Sequence, residues 1–365
     1  MDKKKLLKIS TPGRICLFGE HQDYLGLPII ATAISRRIFI EGTKRNDKVI
    51  RINLPDIHDT ETITLNGLLP YTKERDYYRS SLNVLLKNGY TFSNGFDCVV
   101  HGDIPINSGT SSSSALVVTW INFISRMSDQ SVILPTEKIA EYAHCAEVLE
   151  FSEPGGMMDH YSTSVGNIIW LESAPEIKLE KINSRLGAFV LGNSLEPKDT
   201  KAILARVKHG VLNIINELRK EYSDFSIHKI KLDEIEDYKK HLSNEQLELL
   251  GGTLTNRDIT FKAKKIFNNE PLNDHQIGEL LNQHQNILRD ILKISTPKID
   301  RMIEAALNAG AYGAKINGSG GGGCMFAYAP ENPEKVLEAV KMISNDSFIV
   351  YPDEGTREEK SEVVK

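Results

Sequence analysis

Four short segments of this sequence combine residue types that bind or transfer charged groups. The first is a run of four serines, Ser111–Ser114, which follows Gly109 and precedes an apolar stretch typical of a helix. The first backbone N–H groups of a helix have no partner within it, and the helix dipole makes that end positive. The run therefore predicts an anion site suited to phosphate, with a simple helix cap as the alternative. It is not a Walker A loop, because no Gly-Lys-Ser/Thr follows.

The second segment is a loop rich in glycine. Five of the eight residues from Asn317 to Cys324 are glycine, and strand-like sequence lies on both sides. Glycine lets the backbone approach a ligand closely or adopt a positive φ. Four consecutive glycines exceed what a hairpin turn needs, so the pattern favours a ligand-binding loop over the alternative of a flexible turn.

The other two segments concentrate ionisable side chains. Glu20, His21 and Asp23 lie within four positions, directly after a strand-like segment that begins at Arg14. Such a cluster at a strand end suits hydrogen bonds to a polyhydroxylated ligand, although a solvated turn is an equally good interpretation. In the fourth segment, Asp159 stands among Gly and Met residues, where it is either a desolvated carboxylate or, as is more common, the cap of a turn or helix.

Hydropathy patterning predicts the elements that must position these segments. The first third of the chain is rich in β-branched residues and is typical of short strands, and a helix is predicted from Ala115 to about Met127. After about residue 195 the apolar residues recur at helical spacing, with three strands between the helices. This order predicts an α+β fold with a boundary between two halves near residues 175–200.

Length, charge and composition bound the class of protein. The chain has 365 residues, of which 40% are hydrophobic and 25% charged, so we expect a globular protein of two domains or one large domain. A net charge of −5 provides no field for nucleic acid or an anionic membrane. The four cysteines are scattered singly, which argues against a disulfide framework or a zinc site. We expect a cytoplasmic monomer or homodimer without nucleic-acid or membrane partners.

Taken together and in this order, the segments resemble motifs of the GHMP kinases. The superfamily's first pattern, Pro-Gly-Arg followed by Gly-Glu-His-x-Asp-Tyr-x-Gly, matches Pro12–Arg14 and Gly19–Gly26. Its third motif resembles the glycine-rich segment that ends at Cys324. Its second motif, the phosphate loop, matches at Pro105, Gly109 and Ser111–Ser113, but Asn107, Thr110 and Ser114 replace Gly, Leu and Ala.

Within the superfamily, these motifs most resemble those of galactokinases. The Glu-His-x-Asp-Tyr form is the galactokinase version, and Glu147 precedes Asp159 by the same 12 residues. In contrast, Leu17–Gly19 and Gly313–Lys315 resemble mevalonate kinases. Galactokinases usually carry an Asn-Ser-x-x-x-His stretch and, further along, a Tyr that contacts the sugar. Here neither that His nor that Tyr is recognisable after Gly192–Ser194. Galactose is therefore one candidate acceptor, and a heptose phosphate, a uronic acid and mevalonate stay open.

The resemblance implies a fold of two α+β domains with the site in the cleft between them. The N-terminal half would be like ribosomal protein S5 domain 2, and the C-terminal half would be ferredoxin-like. We expect these domains at residues 1–190 and 191–352, followed by a flexible tail at 353–365.

The resemblance also implies a reaction: ATP- and Mg²⁺-dependent phosphorylation of a sugar hydroxyl, foremost the anomeric C1 hydroxyl of galactose or a related sugar. Asp159 would accept or orient the hydroxyl proton, and Arg14 would keep Asp159 ionised. Ser113 and Glu147 would coordinate Mg²⁺. A non-catalytic sensor of sugar and ATP is disfavoured, because Asp159, Glu147 and Ser113 are all present.

The remaining site residues fall into three implied groups. The acceptor-binding residues would be Glu20, His21 and Asp23. The residues that bind the ATP phosphates would be Asn107, Ser108, Gly109, Thr110, Ser111, Ser112, Ser113 and Ser114. The glycine-rich loop that closes over the phosphates would comprise Gly318, Ser319, Gly320, Gly321 and Gly322.

Overall fold

The computed structural model describes residues 6–105, 108–197 and 200–360, which form an eight-stranded sheet, a four-stranded sheet and helices packed on both. The strands are β1 (Leu7–Phe18), β2 (Ile29–Lys44), β3 (Val49–Leu54), β4 (Asp59–Thr64), β5 (Phe96–Gly102), β6 (Ile168–Glu172), β7 (Lys178–Ile182), β8 (Phe189–Asn193), β9 (Gly313–Ile316), β10 (Cys324–Tyr328), β11 (Ser347–Val350) and β12 (Arg357–Glu358). The helices are α1 (Tyr77–Lys87), α2 (Ser112–Met127), α3 (Thr136–His144), α4 (Met158–Val165), α5 (Thr200–Glu221), α6 (Asn244–Phe267), α7 (Asp274–Asn286), α8 (Pro297–Asn308) and α9 (Pro333–Lys341). The expected α+β class is confirmed.

The larger sheet runs in the order β12-β1-β2-β5-β3-β4, and β6 and β7 extend it from β2. β2 is long enough to serve two partners, because its first half pairs with β6 and its second half with β5. Helices α1, α2 and α3 cover this sheet over a core that contains Phe96, Trp120 and Phe123. Burial of such aromatic side chains holds α2, whose first turn carries the serine run, firmly on the sheet.

The smaller sheet is antiparallel in the order β11-β8-β10-β9, with α8 and α9 packed on it. The two sheets also share one apolar cluster, in which Ile15 and Phe18 of β1 pack with Phe189 of β8 and Phe326 of β10. This shared core fixes the end of β1 against the β9–β10 hairpin, and those two segments carry the first and third sequence motifs.

The apolar residues of Thr136–Phe151 recur at helical spacing, which predicts one continuous helix, but α3 does not extend over this whole stretch. It changes after His144 into a π-helical turn at Cys145–Leu149, which contains Glu147. Such turns insert one extra residue per turn and often occur at functional sites. No helix of the described residues is both long and apolar enough to cross a membrane.

The expectation of a flexible tail after residue 352 is wrong for residues 353–360. β12 pairs with β1 at Ile9 and Ser10, and the buried guanidinium of Arg37 binds the Asp353 carboxylate at 2.8 Å and the Gly355 carbonyl at 2.7 Å. A buried cation needs such partners, so the charged segment is docked. Residues 361–365 lie outside the described residues. The domain boundary near residue 190 stays a prediction.

Candidate active site

A cavity of about 350 Å³ lies where four segments meet: the β1–β2 turn, the serine loop (residues 108–114), the start of α4 and the β9–β10 loop. Most of the residues singled out in the sequence contribute to its wall: Arg14, Glu20, His21, Asp23, Gly109, Ser111, Ser112, Ser113, Ser114, Glu147, Asp159, Gly318 and Ser319. Five others are not part of the wall: Ser108, Thr110, Gly320, Gly321 and Gly322. Asn107 lies outside the described residues. The functional roles of all these residues stay predictions.

Arg14 and Asp159 form an ion pair at the centre of the cavity. The Arg14 Nη2 and Nε atoms lie 2.6 and 2.8 Å from Asp159 Oδ1. Burial is the largest influence on the pKa of Asp159 and would raise it. The charge of Arg14, the nearby His160, the Ser111 hydroxyl and the hydrogen bond from Arg14 together outweigh burial and hold that pKa below its ordinary value. Asp159 occupies the first turn of α4, yet its carboxylate is bound by Arg14, so the cap interpretation does not describe it.

The serine loop presents the N-terminus of α2 to the cavity. Helix α2 begins at Ser112 after Ser111, whose φ of 61° lies in the left-handed region. The Ser111 side chain does not cap the helix, and its buried hydroxyl makes no hydrogen bond of acceptable geometry, although it lies close enough to Asp159 to help hold that pKa down. The N–H groups of the first helical turn therefore stay available to an anion.

Ser108 and Thr110 shape this loop from within. The Ser108 hydroxyl donates to the Pro105 carbonyl at 2.8 Å, and its oxygen lies 2.6 Å from that of Thr110. Both side chains are buried. We conclude that any contact of these two residues with phosphate would come from their backbone.

Glu147 and Ser113 supply two oxygen-bearing side chains to the same wall. Glu147 Oε2 lies 2.8 Å from Nε2 of the buried His160, which sits edge-to-face on the His144 ring. Within residues 6–105, 108–197 and 200–360, no three His, Cys, Asp or Glu side chains are grouped to hold a metal ion. The pair fits Mg²⁺, which uses one or two protein carboxylates and completes its shell with water and substrate phosphates.

Asp23 lies deeper, against the start of α4. The Met158 N–H donates to Asp23 Oδ2 at 3.2 Å, and a Cβ at Gly156 would lie 2.0 Å from the same oxygen. Glycine at 156 is therefore required for Asp23 to occupy this place. Burial, followed by the nearby charge of Asp159, raises the pKa of Asp23 from 3.8 to about 6.

His21 is held on both sides of its ring. Nε2 lies 3.1 Å from the Ser319 carbonyl oxygen, so this nitrogen must carry the proton and donate it. Nδ1 then accepts a hydrogen bond from the Tyr24 hydroxyl at 2.8 Å. Burial lowers the pKa of His21, which agrees with a neutral ring.

Glu20 forms a buried ion pair with Lys315 of β9. The Lys315 ammonium lies 3.0 Å from Glu20 Oε2, and the same oxygen accepts the Gly318 N–H at 3.0 Å. Lys315 is fully buried and Glu20 is 2% exposed. The Glu20 carboxylate thus anchors the start of the glycine-rich loop, a role that the sequence did not suggest.

The glycine-rich loop meets the cavity only through its first residues. Gly318 and Ser319 contribute to the wall, and Gly318 has a φ of 78° and approaches the Gly109 carbonyl. The next residues turn away: a Cβ at Gly320 would strike Ile294, one at Gly321 would strike Ile203, and one at Gly322 would strike Glu196. Their glycine identity is explained by this close packing.

Sequence reasoning missed a second group of wall residues. Arg75 forms two hydrogen bonds with Glu153, at 3.0 and 2.9 Å, and Lys201 of α5 contacts the same carboxylate at 3.0 Å. Tyr77 of α1 and Leu204 lie nearby in the wall. No local motif marks these residues. The one available signal is that Lys201 falls in the stretch where the galactokinase pattern is lost.

Comparisons with known proteins identify the family of this chain. Three family models match: "Galactokinase galactose-binding signature" at residues 2–44, "GHMP kinases N terminal domain" at 76–167 and "GHMP kinases C terminal" at 272–343. Together they cover more than half of the chain.

Proteins named mevalonate kinase and proteins named galactokinase both match this chain over most of its length. The mevalonate kinase of Pyrococcus furiosus is 29% identical over 93% of this chain and 94% of that protein. The galactokinase of Actinobacillus succinogenes is 25% identical over 95% of this chain and 90% of its own. The structure of Lactococcus lactis galactokinase complexed with galactose has a TM-score of 0.86 at 21% identity, over 98% of this chain and 96% of that one. The chain belongs to the GHMP kinases, a family of small-molecule kinases with a two-domain α+β fold.

Proposed function

We propose that this protein is an ATP- and Mg²⁺-dependent kinase that phosphorylates the anomeric C1 hydroxyl of a neutral sugar of the galactose type. One arrangement carries the proposal. The Arg14–Asp159 pair lies in a single cavity with the N-terminus of α2 on one side and the polar cluster Glu20–Asp23 on the other. The cavity therefore offers a place for phosphates and a place for hydroxyls, with an ionised carboxylate between them.

The phosphates of ATP would lie on the first turn of α2, where unpaired N–H groups and the helix dipole favour negative charge. Bound Mg²⁺ would supply charge neutralisation at the phosphates, held by Glu147 and Ser113. Phosphoryl transfer passes through a loose transition state, so positioning and electrostatics contribute more than covalent chemistry.

Asp159 would orient the attacking hydroxyl through its carboxylate oxygens. Its lowered pKa makes it a weak base, so it would receive the proton late, after the bond to phosphorus has largely formed. Arg14 would hold Asp159 in place and balance the charge that develops around it.

The charges of the wall favour a neutral acceptor. Three cationic side chains reach the described wall, and each is already paired: Arg14 with Asp159, and Arg75 and Lys201 with Glu153. Five carboxylates face the same space. An acceptor with its own carboxylate or phosphate would meet no unpaired cation there, whereas hydroxyl groups would find acceptors. This argument disfavours uronic acids, heptose phosphates and mevalonate.

Mevalonate phosphorylation is the second candidate, and the 29% identity to an archaeal mevalonate kinase is the observation that favours it. A coupled ADP-release assay with Mg-ATP separates the candidates. The acceptors are galactose, N-acetylgalactosamine, galacturonate, glucuronate, arabinose, a heptose phosphate and mevalonate, and Asp159→Asn is the control. We expect turnover of a neutral sugar. Turnover of mevalonate alone would overturn the sugar assignment and would leave the kinase family intact.

A further inference from the structure

We infer that Asn317 is a positioning residue that sets the orientation of the serine loop (residues 108–114), although Asn317 comes from the other half of the chain. This inference rests on the proposed function, because it assumes that ATP phosphates bind at the α2 N-terminus. Asn317 follows β9 directly and is fully buried. Its side-chain amide joins three parts of the site.

Both ends of the Asn317 amide are used, in opposite senses. Oδ1 accepts the Cys16 N–H of β1 at 2.9 Å, and Nδ2 donates to the Gly109 carbonyl at 2.8 Å. The Asn317 N–H closes the glycine-rich loop by donating to the Cys324 carbonyl at 2.9 Å. Since one neighbour is a donor and the other an acceptor, the orientation of this amide is fixed by its partners.

The Gly109 carbonyl is the point where these contacts converge. It accepts a second hydrogen bond from Arg14 Nη1 at 2.6 Å, so both of its lone pairs are used. The next carbonyl, of Thr110, accepts the Arg14 N–H at 3.1 Å. Two consecutive carbonyl oxygens of the loop are thus bound to β1 and to Asn317. An unbound carbonyl oxygen beside a phosphate would repel it, and these two are held in place by donors.

The backbone of the loop is strained where the contacts hold it. Gly109 has a φ of 88°, and Ser111 has a φ of 61° although it is not glycine. A serine in the left-handed region is strained and persists only where surrounding contacts determine its conformation. Left-handed residues next to helical ones also turn successive N–H groups toward one side, which creates an anion-binding concavity. Asn317 therefore helps to hold the loop in the one conformation that suits phosphate.

Two substitutions at this position test the inference. Asn317→Asp keeps the acceptor for the Cys16 N–H but places an anionic oxygen against the Gly109 carbonyl. Asn317→Ala removes both contacts without adding charge. We expect Mg-ATP affinity, measured by calorimetry without acceptor, to fall at least tenfold in both variants. Affinity for the acceptor should stay within about twofold of the wild type, a split that a general loss of structure would not produce.

Gln285→Glu is the matched control. Gln285 is 3% exposed, and its Oε1 accepts the Ile316 N–H at 2.9 Å, so the change adds the same charge beside the same hairpin without contacting Gly109. We expect it to lower thermal stability and leave Mg-ATP affinity unchanged.

Each outcome has a distinct meaning. Wild-type protein that fails to bind Mg-ATP would overturn the proposed function itself. Wild-type affinity in Asn317→Ala, or an equal loss in Gln285→Glu, would overturn only the role of Asn317. If Asn317→Asp does not fold, the uncharged Asn317→Ala variant decides the question.

Discussion

The two ends of the cavity are built by different means. At the end where we propose that phosphate binds, called here the phosphate end, backbone N–H groups at the start of α2 face the cavity, and the Ser113 side chain is exposed. At the end where we propose that the acceptor binds, called here the acceptor end, buried side chains form the wall, with Glu20, His21 and Asp23 between 2% and 8% exposed. Each of these three has at least one partner within the protein.

This difference predicts which end of the cavity tolerates substitutions and which end selects the acceptor. Backbone N–H groups bind any phosphate and survive a change of side chain, provided that the loop keeps its shape. Side chains that are fixed by partners read particular hydroxyl groups and reject acceptors that lack them. We therefore expect substitutions at the acceptor end to change acceptor binding strongly, and single serine changes at the phosphate end to have small effects.

The largest expected effect is that of Asp159→Asn, because this residue lies between the two ends. We expect kcat to fall by roughly 10²–10⁴, since the ionised carboxylate that orients the hydroxyl is lost. Mg-ATP affinity should be unchanged, because the α2 N-terminus is intact. Steady-state kinetics and calorimetry measure the two quantities, and wild-type kcat in the variant would remove Asp159 from the mechanism.

Lys315→Met tests whether the buried ion pair between Lys315 and Glu20 stabilises the fold at the acceptor end. The change leaves Glu20 as an unpaired buried carboxylate, which we expect to lower the free energy of unfolding by roughly 3–5 kcal/mol. Denaturant titration at neutral pH measures this loss. Lys220→Met is the control, since its pair with Glu217 is exposed and should contribute less than about 0.5 kcal/mol. Equal losses in the two variants would contradict the argument.

Asp23→Ala should distinguish acceptor binding from ATP binding most directly. We expect KM for the acceptor to rise by about 10²-fold, because the variant lacks a buried carboxylate that would accept hydrogen bonds from the acceptor's hydroxyl groups. KM for ATP should change less than twofold. A change confined to ATP would show that Asp23 does not contact the acceptor.

The pH dependence of acceptor binding should follow Asp23. Its pKa is raised to about 6, so the ionised form is the minor one at pH 5 and the major one at pH 7. The ionised carboxylate is the better acceptor of hydrogen bonds from hydroxyl groups. Acceptor affinity should therefore rise about tenfold as the pH increases from 5 to 7. Asp23→Asn should abolish the rise in a calorimetric pH series. A fall in affinity over the same range would exclude this carboxylate as the cause.

The smallest expected effect is that of Ser113→Ala at the phosphate end. One neutral hydroxyl contributes roughly 0.5–1 kcal/mol, so KM for ATP at saturating Mg²⁺ should rise only about 2–5-fold. The backbone N–H of residue 113 remains in place. A loss as large as that of Asp23→Ala would show that side chains, rather than the backbone, form this end.

Local signals in the sequence predicted several elements well. The sequence predicts helix α2 from Ala115, and the helix begins at Ser112. The pair Thr296-Pro297 predicts a helix start, and in the structure Thr296 caps α8 by accepting the Ile299 N–H. These signals depend on neighbours within a few residues, so they need no knowledge of the fold. The π-helical turn around Glu147 had no such signal, because apolar spacing alone does not reveal one inserted residue.

The sequence by itself determined which side chains and loops could do chemistry: the serine run, the glycine-rich loop, the Glu20–Asp23 cluster and Asp159. Only the tertiary structure decided how they act together. Arg14 and Asp159 are 145 residues apart, Asn317 and Gly109 are 208 apart, and Lys315 and Glu20 are 295 apart. No local pattern specifies such pairs. They meet because one apolar core joins β1 to the smaller sheet, and burial there leaves each polar group to find its partner across the chain.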